Sequence, residues 1–448
     1  MEARVLAMPR PHSYLLGALW AAFVVCLIGR FGYVFYNRPI DHLFSDPNRH
    51  WLNGKRFFWP ELMGSIDPLA YQAWLRTLQW LDHGTGYAVL AVTGMLSMAL
   101  PFFYLKALRE VLPVTWALAA AITIGFMPSL FMIYAYFMTE TLLLSLAACG
   151  FWLTLRAMRI QSFPAIMAVA LVWALAGFTR IVALPLAALC FAALARSLPW
   201  RKRALLVATI GVCFGVIAIP ACWHSSKNLN FCAPFGSGYF NEIYRASSAK
   251  TMRMEVQRRG EWVFSSPSMY TIPLWPISDW HSARDGAESI TINPSKGRDD
   301  WERTLRAYRE HGPRMGWLED KIENALMLFF DPSWPDSDRK YLWGQLNYWN
   351  RWLWLPLTFA VGVWMVQVRP TVRDGLMPLC ALALIALLLL QVSGVMEGRY
   401  RKPAEPLLIA GAFILVYRLR TTGSVVEQNL PDDRIADEGR SDAVAPTA

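Results

Sequence analysis

Apolar runs of helical length recur along nearly the whole chain, each broken by a short cluster of charged residues. No other feature narrows the fold as far. A helix needs roughly 20 apolar residues to cross the ~30 Å hydrocarbon core of a bilayer. Inside that core only helices and closed barrels satisfy their own backbone polar groups. Of the 448 residues, 55% are hydrophobic and only 17% charged, against about 25% charged in soluble domains. The distribution excludes a disordered chain, a disulfide-stapled secreted domain and an ordinary cytosolic enzyme. It predicts an all-α polytopic membrane protein of about ten transmembrane helices with a mixed segment on the periplasmic side.

The expected spans are 14–36, 86–105, 113–136, 138–156, 163–178, 181–196, 204–221, 352–368, 375–393 and 403–418. Residues 162–198 taken as one helix would be roughly 55 Å long, so the reading splits them at Gly177. Basic residues then set the orientation. Arg4, Arg10, Lys106, Arg109, Arg156, Arg159, Arg196, Arg201, Lys202, Arg203, Arg369, Arg373, Arg418 and Arg420 all fall on one side of a ten-span chain. That side is expected to be cytoplasmic, with both termini there, in a bacterial inner membrane. The first segment reads as a retained span, not a cleaved signal peptide.

The net charge of +10 is accounted for by orientation. It forms no continuous stripe, and a nucleic-acid partner is not expected. The seven cysteines show no metal-binding spacing. Cys26, Cys149, Cys190, Cys213 and Cys380 sit in apolar runs. Cys222 and Cys232 lie outside them and could close a small disulfide loop in an oxidising compartment.

This arrangement divides the chain into 1–222 (seven spans, with an external loop at 37–85), an external segment at 223–350, three spans at 351–420, and a polar tail at 421–448 that reads as disordered. In the first external loop, Asp67 and Pro68 are expected to start a helix at 68–82, with Leu69, Trp74, Leu78 and Leu81 on one face lying in the membrane interface. Asp46 caps no visible apolar helix and reads either as a turn former before Pro47 or as a functional acid. In the second external segment a helix is expected at 299–328. Tyr348, Trp349, Trp352 and Trp354 read as an aromatic belt.

Ionisable residues gather at the same external depth: Arg30, Glu140, Arg180, Lys227, Glu397, Arg399, Arg401 and Lys402. Any one of them alone would read as a snorkelling interfacial side chain. Several guanidiniums with carboxylates at one depth suit an anionic lipid headgroup, because the Arg fork matches phosphate oxygens. The carboxylates would then do proton or orienting work.

Four stretches resemble the GT-C superfamily, integral-membrane glycosyltransferases that use polyprenyl-phosphate-linked sugars. They include the protein O-mannosyltransferases and lipid A aminoarabinose transferases. The stretches are Arg30 followed by Ser45-Asp46-Pro47, Met138-Thr139-Glu140, Gly177-Phe178-Thr179-Arg180, and Glu397-x-Arg399-Tyr400-x-x-Pro403-x-x-Pro406. The resemblance implies an inverting transfer from a polyprenyl-phosphate donor to a glycan, lipid or protein acceptor among the membrane lipids. It implies Asp46 as general base and Glu140 as a second, orienting acid. Arg180, Arg399, Lys227, Arg401 and Arg30 would hold the donor phosphate. It implies no cofactor with certainty and leaves a divalent cation open. The sequence departs from the pattern at His50, where relatives carry Tyr, and at Pro47, where protein O-mannosyltransferases carry a second acid. A lone carboxylate is a poor metal ligand. Two other readings share the external charges: a secondary transporter, and another enzyme of lipid-linked substrates such as an O-antigen ligase.

Overall fold

The computed structural model describes residues 11–43, 45–55, 57, 68–229, 232, 234–235, 253–256, 262–265, 290–292, 317–330, 333, 342–390 and 398–428. In chain order the helices are α1 (Pro11–Tyr36), α2 (Ser45–Lys55), α3 (Leu69–Asp82), α4 (Tyr87–Leu108), α5 (Val114–Phe126), α6 (Pro128–Met132), α7 (Thr139–Ile160), α8 (Phe163–Thr179), α9 (Ala183–Ser197) and α10 (Trp200–Leu229). Strands β1 (Arg253–Val256), β2 (Trp262–Ser265) and β3 (Ile290–Ile292) form a small antiparallel sheet in the order β1-β2-β3. They are followed by α11 (Trp317–Phe330), α12 (Leu342–Trp349), α13 (Arg351–Val368), α14 (Val372–Leu390) and α15 (Glu405–Gln428).

Among the described residues, α1, α4, α7, α10 and α14 are long and apolar enough to cross a membrane, and α5 with α6 adds a sixth if that pair is one broken span. The expected spans at 163–178 and 181–196 are shorter apolar helices, and those at 352–368 and 403–418 fall on α13 and α15. Large apolar side chains face outward: Ile28, Val212, Val216, Ile219, Phe359 and Val366 are all exposed. A soluble protein does not leave a band of that size in water; hydrocarbon is its natural surround.

Helix α7 fixes the vertical scale. Glu140 lies in its first turn and Arg159 in its last. Their separation along the helix axis is about 28 Å, close to the thickness of the hydrocarbon core. At the Arg159 end, Glu110 meets both Arg159 (3.2 Å) and Arg373 (3.0 Å), and Asp374 meets Arg418 (2.9 Å). Basic residues placed on one side by charge counting therefore do converge at one end of the bundle.

Several elements differ from the sequence expectation. The segment 113–136 is not one straight helix; α5 and α6 meet at 65°. Pro128 disfavours helical geometry at Met127, which is extended (φ −62°, ψ 120°), and Pro128 then opens α6. The break after α8 falls at residues 180–182, not at Gly177, which remains helical. Pro185 supplies the reason. A proline is best tolerated in a first turn, and the chain restarts at Ala183 with Pro185 in that turn. Helix α3 buries Tyr71, Leu75, Leu78 and Asp82 and leaves Leu81 exposed, because its face is set by docking on α2, α4 and α8. The Asp82 carboxylate accepts from the backbone N–H groups of Gly86 (2.7 Å) and Ala88 (3.0 Å) and so caps α4. Trp354 is not at an interface but fully buried. Helix α15 runs to Gln428, past the expected start of the polar tail. Asp67 and residues 299–316 lie outside the described residues. Cys222 and Cys232 are joined as a disulfide at the end of α10.

Candidate active site

The local sequence explains how Asp46 is presented. Ser45-Asp46-Pro47 opens α2, with the proline in the first turn. One turn on, Arg49 Nη1 donates to Asp46 Oδ1 at 2.6 Å. Helix α2 has only Trp51 and Leu52 as large apolar residues, so it carries no periodic signature of its own. Packing holds it instead. Trp51 is buried and stacks on Phe137 with ring centroids 4.5 Å apart and an interplanar angle of 13°. Tyr71, Leu75, Leu78, Val89 and Leu142 complete that cluster. Asp46 is thereby tied to the start of α7, where Glu140 stands.

Glu140 is 1% exposed in the first turn of α7, where the helix dipole favours a carboxylate. Thr139 Oγ1 donates to its Oε2 at 3.0 Å, and Arg180 Nη1 forms a close ion pair with its Oε1. Arg180 lies where the chain leaves α8 in an extended conformation. Arg399 belongs to the 3-10 segment Gly398–Arg401, and its Nη1 donates to Asp46 Oδ2 at 3.1 Å. Tyr400 joins the two halves: its ring centroid lies 5.3 Å from the Arg180 guanidinium and 5.7 Å from that of Arg399, within cation–π range. The result is a ladder of Asp46, Arg399, Tyr400, Arg180 and Glu140, drawn from four separate parts of the chain.

Among the described residues the ladder and Arg49 bring three guanidiniums and two carboxylates together. The side chains of Asp46, Arg399 and Arg180 are 26%, 18% and 19% exposed, so the cluster is reachable. Burial works against ionisation of Asp46, but Arg49, Arg399 and His50 outweigh it and hold the carboxyl well below the usual carboxylate range.

Two of the expected phosphate ligands, Arg30 and Arg401, are employed elsewhere. Arg30 is fully buried and donates to Ser97 O (2.7 Å), Gly125 O (2.6 Å) and Leu130 O (2.8 Å). Two of these carbonyls lose helical partners for local reasons. Four residues after Ser97 stands Pro101, which has no N–H. Gly125 precedes the break at Met127. Gly125 also lets the break close up, since a Cβ there would collide with Cys26 Sγ and sit 3.2 Å from Pro101 Cβ. Arg401 is likewise fully buried. It pairs with Glu405 (2.9 Å) and donates to Leu328 O and Phe329 O at the C-terminal turn of α11, a favourable place for a cation. Lys402 Nζ donates to Ser129 O at 2.8 Å in α6, while Ser129 Oγ makes a close hydrogen bond to Glu405. Arg30, Arg401 and Lys402 brace interrupted backbone and do not face the ladder.

The side chains of Lys227 and Glu397 lie outside the described residues. Arg49 was not singled out from the sequence; its signal is the acid–base spacing of one helical turn. Among the described residues, no three His, Cys, Asp or Glu side chains gather as a metal site requires. No protein-family model matches the chain, and no curated protein matches it.

Proposed function

We propose that the chain is an inverting glycosyltransferase of the bacterial inner membrane, moving a sugar from a polyprenyl-phosphate donor to an envelope glycan, lipid or protein at the periplasmic face. The observation that carries this reading is the convergence of Asp46, Glu140, Arg180 and Arg399 around Tyr400. Each of the four stretches that resemble GT-C enzymes contributes to this set. A reachable carboxylate beside two guanidiniums at the outer end of α7 suits a reaction with an anionic leaving group.

In this reading Asp46 takes the proton of the acceptor hydroxyl or amine. The acceptor atom bonds to the anomeric carbon from the face opposite the phosphate, and the configuration inverts. Arg180 and Arg399 receive the departing phosphate, whose charge grows as the bond breaks. Glu140 holds Arg180 in place. Ten crossings with both termini cytoplasmic fit the two charged ends of α7. The Cys222–Cys232 bond is chemistry of an oxidising compartment and agrees with the outer end of α10 being periplasmic.

A secondary transporter is the second reading, favoured by the broken α5–α6 span beside buried Arg30, Lys402 and Glu405. The two separate experimentally. Membranes carrying wild type or Asp46→Asn are given radiolabelled polyprenyl-phosphate sugars, and label is followed into acceptors at matched expression. Wild type transfers label and Asp46→Asn loses a hundredfold or more, the scale of a missing general base. Equal transfer by both proteins removes Asp46 as the base. No transfer by wild type from any donor removes the glycosyltransferase reading.

A further inference from the structure

Each oxygen of Asp46 is held by a different arginine, and the two arginines belong to different elements. Oδ1 is held by Arg49, one turn away on the same helix α2. Oδ2 is held by Arg399, on the 3-10 segment before α15. Arg49 travels with Asp46 whatever happens around the site. Arg399 sits beside Tyr400 and Arg180, where the Asp46 carboxylate and an incoming anion would want the same cation. A guanidinium offers a fixed fork of donors, so occupying it with a phosphate weakens its bond to Oδ2.

We infer that Arg399 is shared between two competing anions, Asp46 Oδ2 and the phosphate of a polyprenyl phosphate, and that Arg49 is a positioning residue that keeps Oδ1 fixed during the exchange. The inference rests on the function proposed above and assigns Oδ2 as the proton-accepting oxygen. Arrival of the donor phosphate draws Arg399 away and uncovers Oδ2. The proton of the acceptor group then passes to Oδ2, and the new bond forms at the anomeric carbon. The bond between that carbon and the phosphate oxygen breaks, with its electron pair going to the phosphate, which leaves against Arg399 and Arg180. The base is therefore strengthened by donor binding, and acceptor activation waits on the donor.

Binding of decaprenyl phosphate, which carries no sugar, tests the exchange without requiring transfer. The purified full-length protein is titrated in detergent as wild type, Asp46→Asn, Arg49→Gln and Arg399→Gln. The double variants that add Asp46→Asn to each arginine change are titrated alongside. Loss of the competing carboxylate tightens binding in Asp46→Asn by about fivefold, or ~1 kcal/mol, as expected for a partly exposed ion pair. Arg399→Gln weakens binding about tenfold or more, and Asp46→Asn then adds nothing. Arg49→Gln weakens binding by about threefold while Asp46 is present, because Asp46 turns wholly to Arg399, and has no effect in the Asp46→Asn background. Arg399→Lys, which keeps the charge, serves if Arg399→Gln fails to fold. The inference is overturned if Asp46→Asn binds no tighter than wild type. It is overturned equally if Arg49→Gln weakens binding in the Asp46→Asn background, which would make Arg49 a direct ligand. Inorganic phosphate binding as tightly as decaprenyl phosphate would overturn the lipid as the source of the anion. Sugar transfer is read in the separate radiolabel assay, so failure of the glycosyltransferase reading and failure of this exchange are told apart.

Discussion

Arg30→Met removes the brace across the two interrupted helices while keeping an unbranched apolar stem. Arg30 makes three charge-assisted hydrogen bonds, to Ser97 O, Gly125 O and Leu130 O. At roughly 1.5–3 kcal/mol each, their loss alone would cost about 5–9 kcal/mol. Part of this is offset because a cation no longer has to be buried, and the net expected cost is about 3–5 kcal/mol. The structure also specifies a rescue. Ser97 O needs Arg30 because Pro101 has no N–H, so Pro101→Ala supplies the missing donor. In the Pro101→Ala background, Arg30→Met should cost less by about 1 kcal/mol, one net hydrogen bond. A double-mutant cycle isolates that term from the packing lost with the proline ring. Reversible SDS titration in bicelles, followed by the fluorescence of the chain's 21 tryptophans, measures all four proteins. Equal costs of Arg30→Met in both backgrounds would show that Ser97 O does not depend on Arg30, and the account of this arginine would fall.

Four further outcomes are expected. Glu140→Gln should raise the apparent donor KM by about tenfold with a smaller change in kcat, since one charge-assisted contact to Arg180 is worth roughly 1.5–3 kcal/mol; an unchanged KM would detach Glu140 from the donor. Asp46 is held below the usual range, so its stabilising effect is complete above the unfolded value of about 3.9 and is lost as pH falls through the lower folded value. The difference in melting temperature between wild type and Asp46→Asn should therefore be flat from about pH 5 to 8 and shrink only below about pH 4; shrinkage already between pH 7 and 5 would contradict this. Trp51→Ala should loosen α2 at a cost of about 3–5 kcal/mol and lower transfer at least as much as it lowers stability, whereas full transfer would show that the Trp51–Phe137 stack does not position Asp46. Polyethylene-glycol maleimide should label Cys222 and Cys232 only after reduction, and labelling without reductant would deny the bond.

The parts of this fold legible in sequence are those set by the solvent. Apolar length marks α1, α4, α7, α10 and α14, and the basic clusters place Arg159 and Arg373 at one end, where Glu110 meets both. The convergence of Asp46, Glu140, Arg180 and Arg399 follows from the same count of sides, because residues at one depth on one face have few places to go. What stayed hidden was set by neighbours. Helix α2 is too polar to announce itself and exists through Trp51 on Phe137. Arg30 and Arg401 carry the same charge as Arg399 and share its expected depth, yet they serve carbonyls orphaned by Pro101, by the kink before Pro128 and by the end of α11. Prolines four residues after a carbonyl were the available signal. They mark where a membrane protein must import a hydrogen-bond donor, and so which arginines are already spoken for.

Helix α7 is tethered at both ends, by Glu140 to Arg180 and by Arg159 to Glu110. A span fastened in this way cannot slide to suit its surroundings. In a bilayer several ångströms thicker than its ~28 Å gauge it must thin the lipid around it, and in a thinner one tilt, and either is felt first where Trp51 of α2 stacks on Phe137 beside the Glu140 end. Lipid chain length should thereby bear on how α2, and Asp46 with it, is seated.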